Sequence, residues 1–139
     1  MDIMVVKEFQ FDAAHFLPNH PGKCKGFHGH TYKLQIGVSG EVNSETGMVV
    51  DFADLKEMVD ESIIEHLDHK LLNSVGTFIG DSEPLKSFPN RMPTAEMMVS
   101  WIASTLYNLF LQTWESKIRL CLVRLYETPT SYAEWRATR

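Results

Sequence analysis

The sequence predicts an α+β fold: one antiparallel sheet built in the order β-β-α-α-β-β, with two helices packed on one of its faces. Three observations predict it. Two long N-terminal stretches alternate apolar and polar residues with period two, two later stretches repeat apolar residues at helical spacing, and the chain closes on strand-like runs rich in Ile, Leu, Val and Tyr. With 139 residues and 44% hydrophobic residues, a single domain spanning 1–139 is the economical reading.

The first strand runs from Ile3 to His15, with Phe9, Phe11, Ala13 and His15 on one parity and Glu8, Gln10 and Asp12 on the other. Leu17 to Gly22 contains two prolines and a glycine, turn chemistry that takes the chain out of the sheet and delivers Cys24 in a loop. In the second strand, His28 to Glu41, the residues His28, His30, Tyr32, Leu34, Ile36 and Val38 share a face opposite Lys33, Gln35 and Ser39. After a turn at Asn43 to Gly47, Asp51 can cap a helix whose apolar stripe is Phe52, Leu55, Val59 and Ile63, read onward as far as Asn73. Residues 74–92 hold glycines and prolines without a period, a long loop of the kind compact domains keep for function or oligomer contact. Thr94 follows Pro93 and can cap a second helix, which Glu96 favours through the dipole; Met98, Trp101, Ile102, Thr105, Leu106 and Leu109 form its buried side. Lys117 to Thr128 reads as a strand and Thr130 to Arg136 as its short partner. The exposed edges of so small a sheet invite oligomerisation.

Thirteen basic against eighteen acidic residues, a formal charge of −5, argue against a nucleic-acid binder, which needs a basic face to displace counterions. An anionic ligand must therefore be met locally. The N-terminus lacks the basic start and apolar core of a signal peptide, and no apolar run approaches the roughly 18 residues of a membrane span, so a cytoplasmic protein is expected. Cys24 among lysines and Cys121 in an apolar strand suit a reducing compartment, where they need not pair.

The chemistry concentrates around Cys24 to His30. His28 and His30, spaced H-x-H on a strand, point to the same side, and His15 lies on the corresponding face of the first strand. One such histidine is ordinarily a core residue with a satisfied hydrogen bond, but three imidazoles on shared faces would be costly to bury without a metal. Three neutral imidazoles with a fourth position open are the pattern of a catalytic zinc site. Cys24 either closes that shell as a fourth ligand or stands beside the metal as a thiolate, which the flanking Lys23 and Lys25 favour. His20 and His66 show no comparable arrangement, and Cys121 reads as a small hydrophobe. Asp68 and His69 are either an acid-base pair or surface residues, because neighbours on a regular helix do not face each other and couple only where it ends or unwinds. Glu127 falls on the core-side parity of Cys121, Val123 and Leu125, so it either receives hydrogen bonds from a ligand's guanidine-like edge or marks an exposed strand end.

These residues fall into an ordered set: Phe11-x-Ala-Ala-His15, Cys24-x-x-x-His28-Gly-His30, Gly47-Met-Val-x-Asp-Phe-x-x-Leu-Lys, Leu67-Asp-His, Pro93-Thr-Ala-Glu and Tyr126-Glu-Thr. The set spans nearly the whole chain and resembles the 6-pyruvoyltetrahydropterin synthase superfamily. The three-residue gap between Cys24 and His28 is similar to the branch that forms 6-carboxytetrahydropterin in queuosine (7-deazaguanine) synthesis. The resemblance implies a tunnelling fold (T-fold) that assembles as a homohexamer of two trimers, with active sites at subunit interfaces. It implies a zinc-dependent carbon-carbon lyase whose zinc ligands are His15, His28 and His30 and whose catalytic residues are Cys24, Asp68 and His69, with Glu127 and Thr94 holding a pterin triphosphate substrate. Lys23, Lys25, Lys33 and Arg91 are the candidates for the triphosphate.

Overall fold

In the computed structural model, residues 1–17, 20–74 and 92–138 are described. Nearly all of the loop read at 74–92, Arg91 included, lies outside them. Four strands, β1 (Asp2–His15), β2 (His28–Glu41), β3 (Ile118–Thr128) and β4 (Ser131–Arg136), form an antiparallel sheet in the order β1-β2-β3-β4. The first helix, α1, begins as Phe52–Val59, passes through a π-helical stretch Asp60–Ile64 and finishes at Glu65–Leu67. The second, α2, is Ala95–Trp114.

Both predicted caps are made. The Asp51 carboxylate accepts from Ala53 N at 2.8 Å and the Thr94 hydroxyl accepts from Met97 N at 3.2 Å, each satisfying an otherwise orphaned helical donor. The alternation read from the strands holds: Phe9, Phe11, Leu34, Ile36 and Val38 join Leu55, Val59, Ile63, Met98, Ile102 and Leu106 in one apolar core. The helices therefore close over the face that also carries His15, which is buried.

Three expectations change. Phe52, assigned to the apolar stripe, is 46% exposed. A helical side chain leans over the turn before it, and at the first helical position no such turn exists, so the stripe begins at Leu55. Secondly, Cys121 does not share the parity of Val123 and Leu125. Gly37 pairs with Leu122 and Val38 with Leu120, so a bulge leaves Cys121 between them and half-buried. Leu122 packs beneath Gly37 on the opposite face, where a Cβ on the glycine would lie 2.7 Å from the leucine Cβ. Glu127, beyond the bulge, keeps the core-side parity.

Thirdly, α1 stops at Leu67 instead of continuing to Asn73. Asp68 is extended (φ −65°, ψ 129°) and His69 takes a left-handed conformation (φ 59°). The free edge of β1 captures the segment that follows: His69 N donates to Asp12 O at 2.6 Å, Ala14 N donates to Lys70 O at 3.0 Å, and Leu71 pairs with Ala14 in parallel. Backbone groups that would have bonded within another helical turn are satisfied by the sheet edge instead.

Candidate active site

Pairing brings His15 directly opposite His28 at the end of β1 and β2, and His30 opposite Ala13 one strand period away. The three rings stand edge-on to one another with centroids 4.5 to 5.0 Å apart. Two are oriented from behind by backbone carbonyls. His15 Nδ1 donates to Pro93 O at 3.0 Å and His28 Nδ1 donates to Gly26 O at 2.8 Å, because a carbonyl can only accept. In the neutral rings, both Nε2 atoms then carry lone pairs, yet they lie 2.9 Å from each other. Two lone pairs at that separation repel unless a proton or metal cation lies between them.

Glu127 adds negative charge at the same point. Its Oε1 is 2.9 Å from His30 Nε2 and 3.4 Å from His15 Nε2. His30 Nε2 is buried and makes no directed hydrogen bond there despite the short contact. Ligand atoms of His15, His28, His30 and Glu127 all lie within 4.8 Å of one another. Three imidazoles, two of them fixed through their outer nitrogens by carbonyls, face a carboxylate and form a donor set that fits a divalent metal. Cys24 is not in that group.

The titration directions express the same crowding. Burial pulls His15 down, but the hydrogen bond to Glu127 and the Pro93 carbonyl more than offset it and hold the group above its ordinary value. For His30 burial is again the largest influence, and with the neighbouring His15 and His28 it outweighs Glu127 and lowers the group. The hydrogen bond with His15, reinforced by the histidine charges, depresses Glu127 against its own burial. Tyr32, fully buried beneath the cluster with its hydroxyl 3.5 Å from His15 Nδ1, is pushed upward by burial.

Cys24 sits in a short 3-10 turn, Lys23–Lys25, and its carbonyl receives Leu17 N at 2.7 Å. Asp68 and His69 do face each other, since the chain leaves the helix between them: His69 Nδ1 lies 2.9 Å from Asp68 Oδ1. Asp68 Oδ1 also accepts Asp12 N at 3.0 Å, the main cause of its lowered pKa. His69 is 78% exposed, with Nε2 away from its aspartate partner. A hollow of about 540 Å³ is lined by Asp12, Gly29, His30, Thr31, His69 and Lys70. Thr94 is spent as a helix cap, and Lys33 stands over the Tyr126 ring. Sequence reasoning missed Asn73, a buried amide bonded to the backbone of Phe16. Only the departure of the chain from α1 at Leu67 puts it there, and no periodic signal announces that.

A family model described as 6-pyruvoyl tetrahydropterin synthase matches residues 4–138. A Haemophilus influenzae protein named 6-carboxy-5,6,7,8-tetrahydropterin synthase is 34% identical over 95% of this chain and 97% of its own. A Synechocystis protein of the same name is 37% identical over 98% of this chain and 95% of its own. Among solved structures, Caenorhabditis elegans 6-pyruvoyl tetrahydropterin synthase superposes with a TM-score of 0.79 at 23% identity, covering 99% of this chain and 97% of that one. That likeness establishes the fold, the T-fold of these synthases. With the match running through both histidine strands, the Asp68-His69 segment and β3, the chain belongs to the 6-pyruvoyl tetrahydropterin synthase family.

Proposed function

We propose that the protein is a zinc-dependent lyase that converts 7,8-dihydroneopterin triphosphate and water to 6-carboxy-5,6,7,8-tetrahydropterin, acetaldehyde and triphosphate, a step of queuosine (7-deazapurine) biosynthesis. The observation that carries this reading is the near full-length likeness to relatives named for the carboxy product, at 34 and 37% identity. The site geometry supports it. His15, His28 and His30 hold zinc through Nε2, an assignment favoured by the Nδ1 bonds of His15 and His28 to backbone carbonyls. Zinc held there would supply Lewis acidity toward substrate hydroxyl groups, lowering their pKa.

Cys24 takes up and returns protons as the general base, from a turn held close to the end of β1 by Leu17. Asp68 orients His69 through Nδ1, leaving Nε2 to relay protons on the other side of the substrate. Glu127 accepts hydrogen bonds from the amino-pyrimidine edge, a charge-assisted and directional contact. Thr94 helps hold the pterin through its hydroxyl hydrogen, the oxygen already accepting Met97 N in the cap. Lys23 and Lys25 are the described candidates nearest Cys24 in sequence for meeting the triphosphate.

The reading treats 1–139 as one domain working in the cytoplasm, consistent with two free cysteines and with the absence, among described residues, of a helix long and apolar enough to cross a membrane. It expects hexamers of two trimers. The exposed Ile3, Met4 and Val6 on the open part of the β1 edge favour burial against another copy.

The experiment is product analysis on purified, zinc-loaded protein given dihydroneopterin triphosphate. Acetaldehyde with 6-carboxytetrahydropterin is expected; a pyruvoyl product without acetaldehyde would reassign the chain to the pyruvoyl-forming or sepiapterin-cleaving chemistry of the same site. A second reading, a non-enzymatic zinc module, is favoured by the closeness of Glu127 to the histidines, which would close the shell. Glu127→Gln separates the two: the enzyme keeps its zinc and shows a raised KM, whereas the module loses zinc.

A further inference from the structure

Asn73 is 7% exposed, and its side-chain amide embraces the backbone of Phe16. Its Oδ1 accepts Phe16 N at 3.0 Å and its Nδ2 donates to Phe16 O at 2.9 Å. An amide paired with both backbone groups of one residue imitates a neighbouring strand, so it extends the β1 edge one residue beyond the point where the sheet ends. Phe16 is a junction. It follows His15, and the next residue, Leu17, ties down the carbonyl of Cys24 at 2.7 Å. Five residues before Asn73, the same segment carries Asp68, whose carboxylate receives Asp12 N, and His69, whose N–H meets Asp12 O. Between these ends Ala14 N donates to Lys70 O.

The segment is thus laced to β1 at Asp12, Ala14 and Phe16, and the last of these fastenings is a side chain. We propose that Asn73 is a positioning residue: by clamping Phe16 it joins the Cys24 turn, the His15 strand and the Asp68-His69 pair into one rigid unit and fixes their spacing. Which reaction that unit serves rests on the pterin synthase reading above. Without the clamp, Phe16 loses the partner of its N–H, the chain between His15 and Leu17 loosens, and the Cys24 turn moves with it. Displacement of about 1 Å in a catalytic group costs on the order of 100-fold in rate, so the effect falls on turnover more than on substrate binding.

The test compares Asn73→Ala with Leu106→Ala, a core truncation in the middle of α2 that lowers thermal stability without touching the joint. Both are assayed zinc-loaded, well below their unfolding temperatures, with dihydroneopterin triphosphate. Asn73→Ala is expected to lose about 10- to 100-fold in kcat with KM within about 3-fold, while Leu106→Ala keeps its kcat. Two readouts do not depend on activity. Amide hydrogen exchange at Asp12, Ala14, Phe16 and His69 should quicken about tenfold or more in Asn73→Ala only, and the iodoacetamide alkylation rate of Cys24, followed by peptide mass, should change severalfold. Unchanged exchange and alkylation would overturn the proposal, as would a kcat for Asn73→Ala equal to that of Leu106→Ala. If the parent protein fails to turn over this substrate, the pterin reading falls and the joint is still decided by exchange and alkylation. Should Asn73→Ala not fold, Asn73→Asp keeps the acceptor for Phe16 N and loses the donor to Phe16 O; its exchange and alkylation should then also depart from the parent, and parental values overturn the proposal.

Discussion

The two histidine-bearing parts of the site are built by opposite means. His15, His28 and His30 belong to paired strands, where a period of two sets their direction and cross-strand register sets their spacing. His69 belongs to neither helix nor strand; it lies at φ 59°, where the chain leaves α1 and turns onto the edge of β1. The first group is buried or half-buried, with His15 and His28 fastened by carbonyls, whereas His69 is largely exposed. Under the proposed function, regular structure thus carries the metal ligands, and an interruption of regular structure carries the accessible proton-transfer group. A left-handed histidine costs about 1–2 kcal/mol, which such a site tolerates because the neighbouring bonds hold it.

The largest effect should come from attacking the first group. His28→Ala removes one of three nitrogens from the cluster, and metal affinity measured by chelator competition should fall by more than the roughly 100-fold typical of losing an outer-shell partner, with turnover abolished. Metal retained at parental affinity would mean that the histidines are not the ligands. Against the second group, His69→Gly sharpens the contrast, because glycine accepts the left-handed backbone. Turnover should fall about 10²- to 10⁴-fold, the usual range for a general acid-base group, while zinc content is kept and Tm is unchanged or slightly raised. A lost metal in His69→Gly would show that the two groups are not separable.

Much of this was legible in the sequence, for reasons the same contrast explains. His28-x-His30 and the apolar alternation around His15 reveal a shared face because strand geometry is local. The caps at Asp51 and Thr94 were legible for the same reason, each being a contact across two or three residues. Asp68 and His69 could be recognised as a pair but not oriented, since the helix end is imposed by Asp12 and Ala14 on a strand more than fifty residues earlier. Asn73 was invisible on the same grounds. The bulge at Cys121 also escaped, because it depends on Gly37 yielding space to Leu122 across the sheet.

A smaller effect concerns pH. His15 is held above its ordinary 6.5 in the metal-free protein. That raised value contributes stability below pH 6.5 that is lost as the pH rises through the folded value. A metal must displace the same proton, so affinity should rise with pH through this range and level off once His15 is neutral, with proton release visible to an indicator in weak buffer. Affinity flat from pH 6 to 8 would contradict it. The smallest effect lies outside the site: Asp51→Ala removes the α1 cap and should cost about 1 kcal/mol in unfolding experiments, leaving zinc content and turnover intact.

The proposed function divides the labour around Cys24-x-x-x-His28-Gly-His30: the histidines hold zinc and the cysteine moves protons. The direct measurement is zinc stoichiometry and turnover in Cys24→Ala. One zinc per chain at parental affinity, with turnover reduced about 10²- to 10⁴-fold, is the predicted result. Loss of zinc together with the cysteine would make Cys24 a ligand and contradict the account.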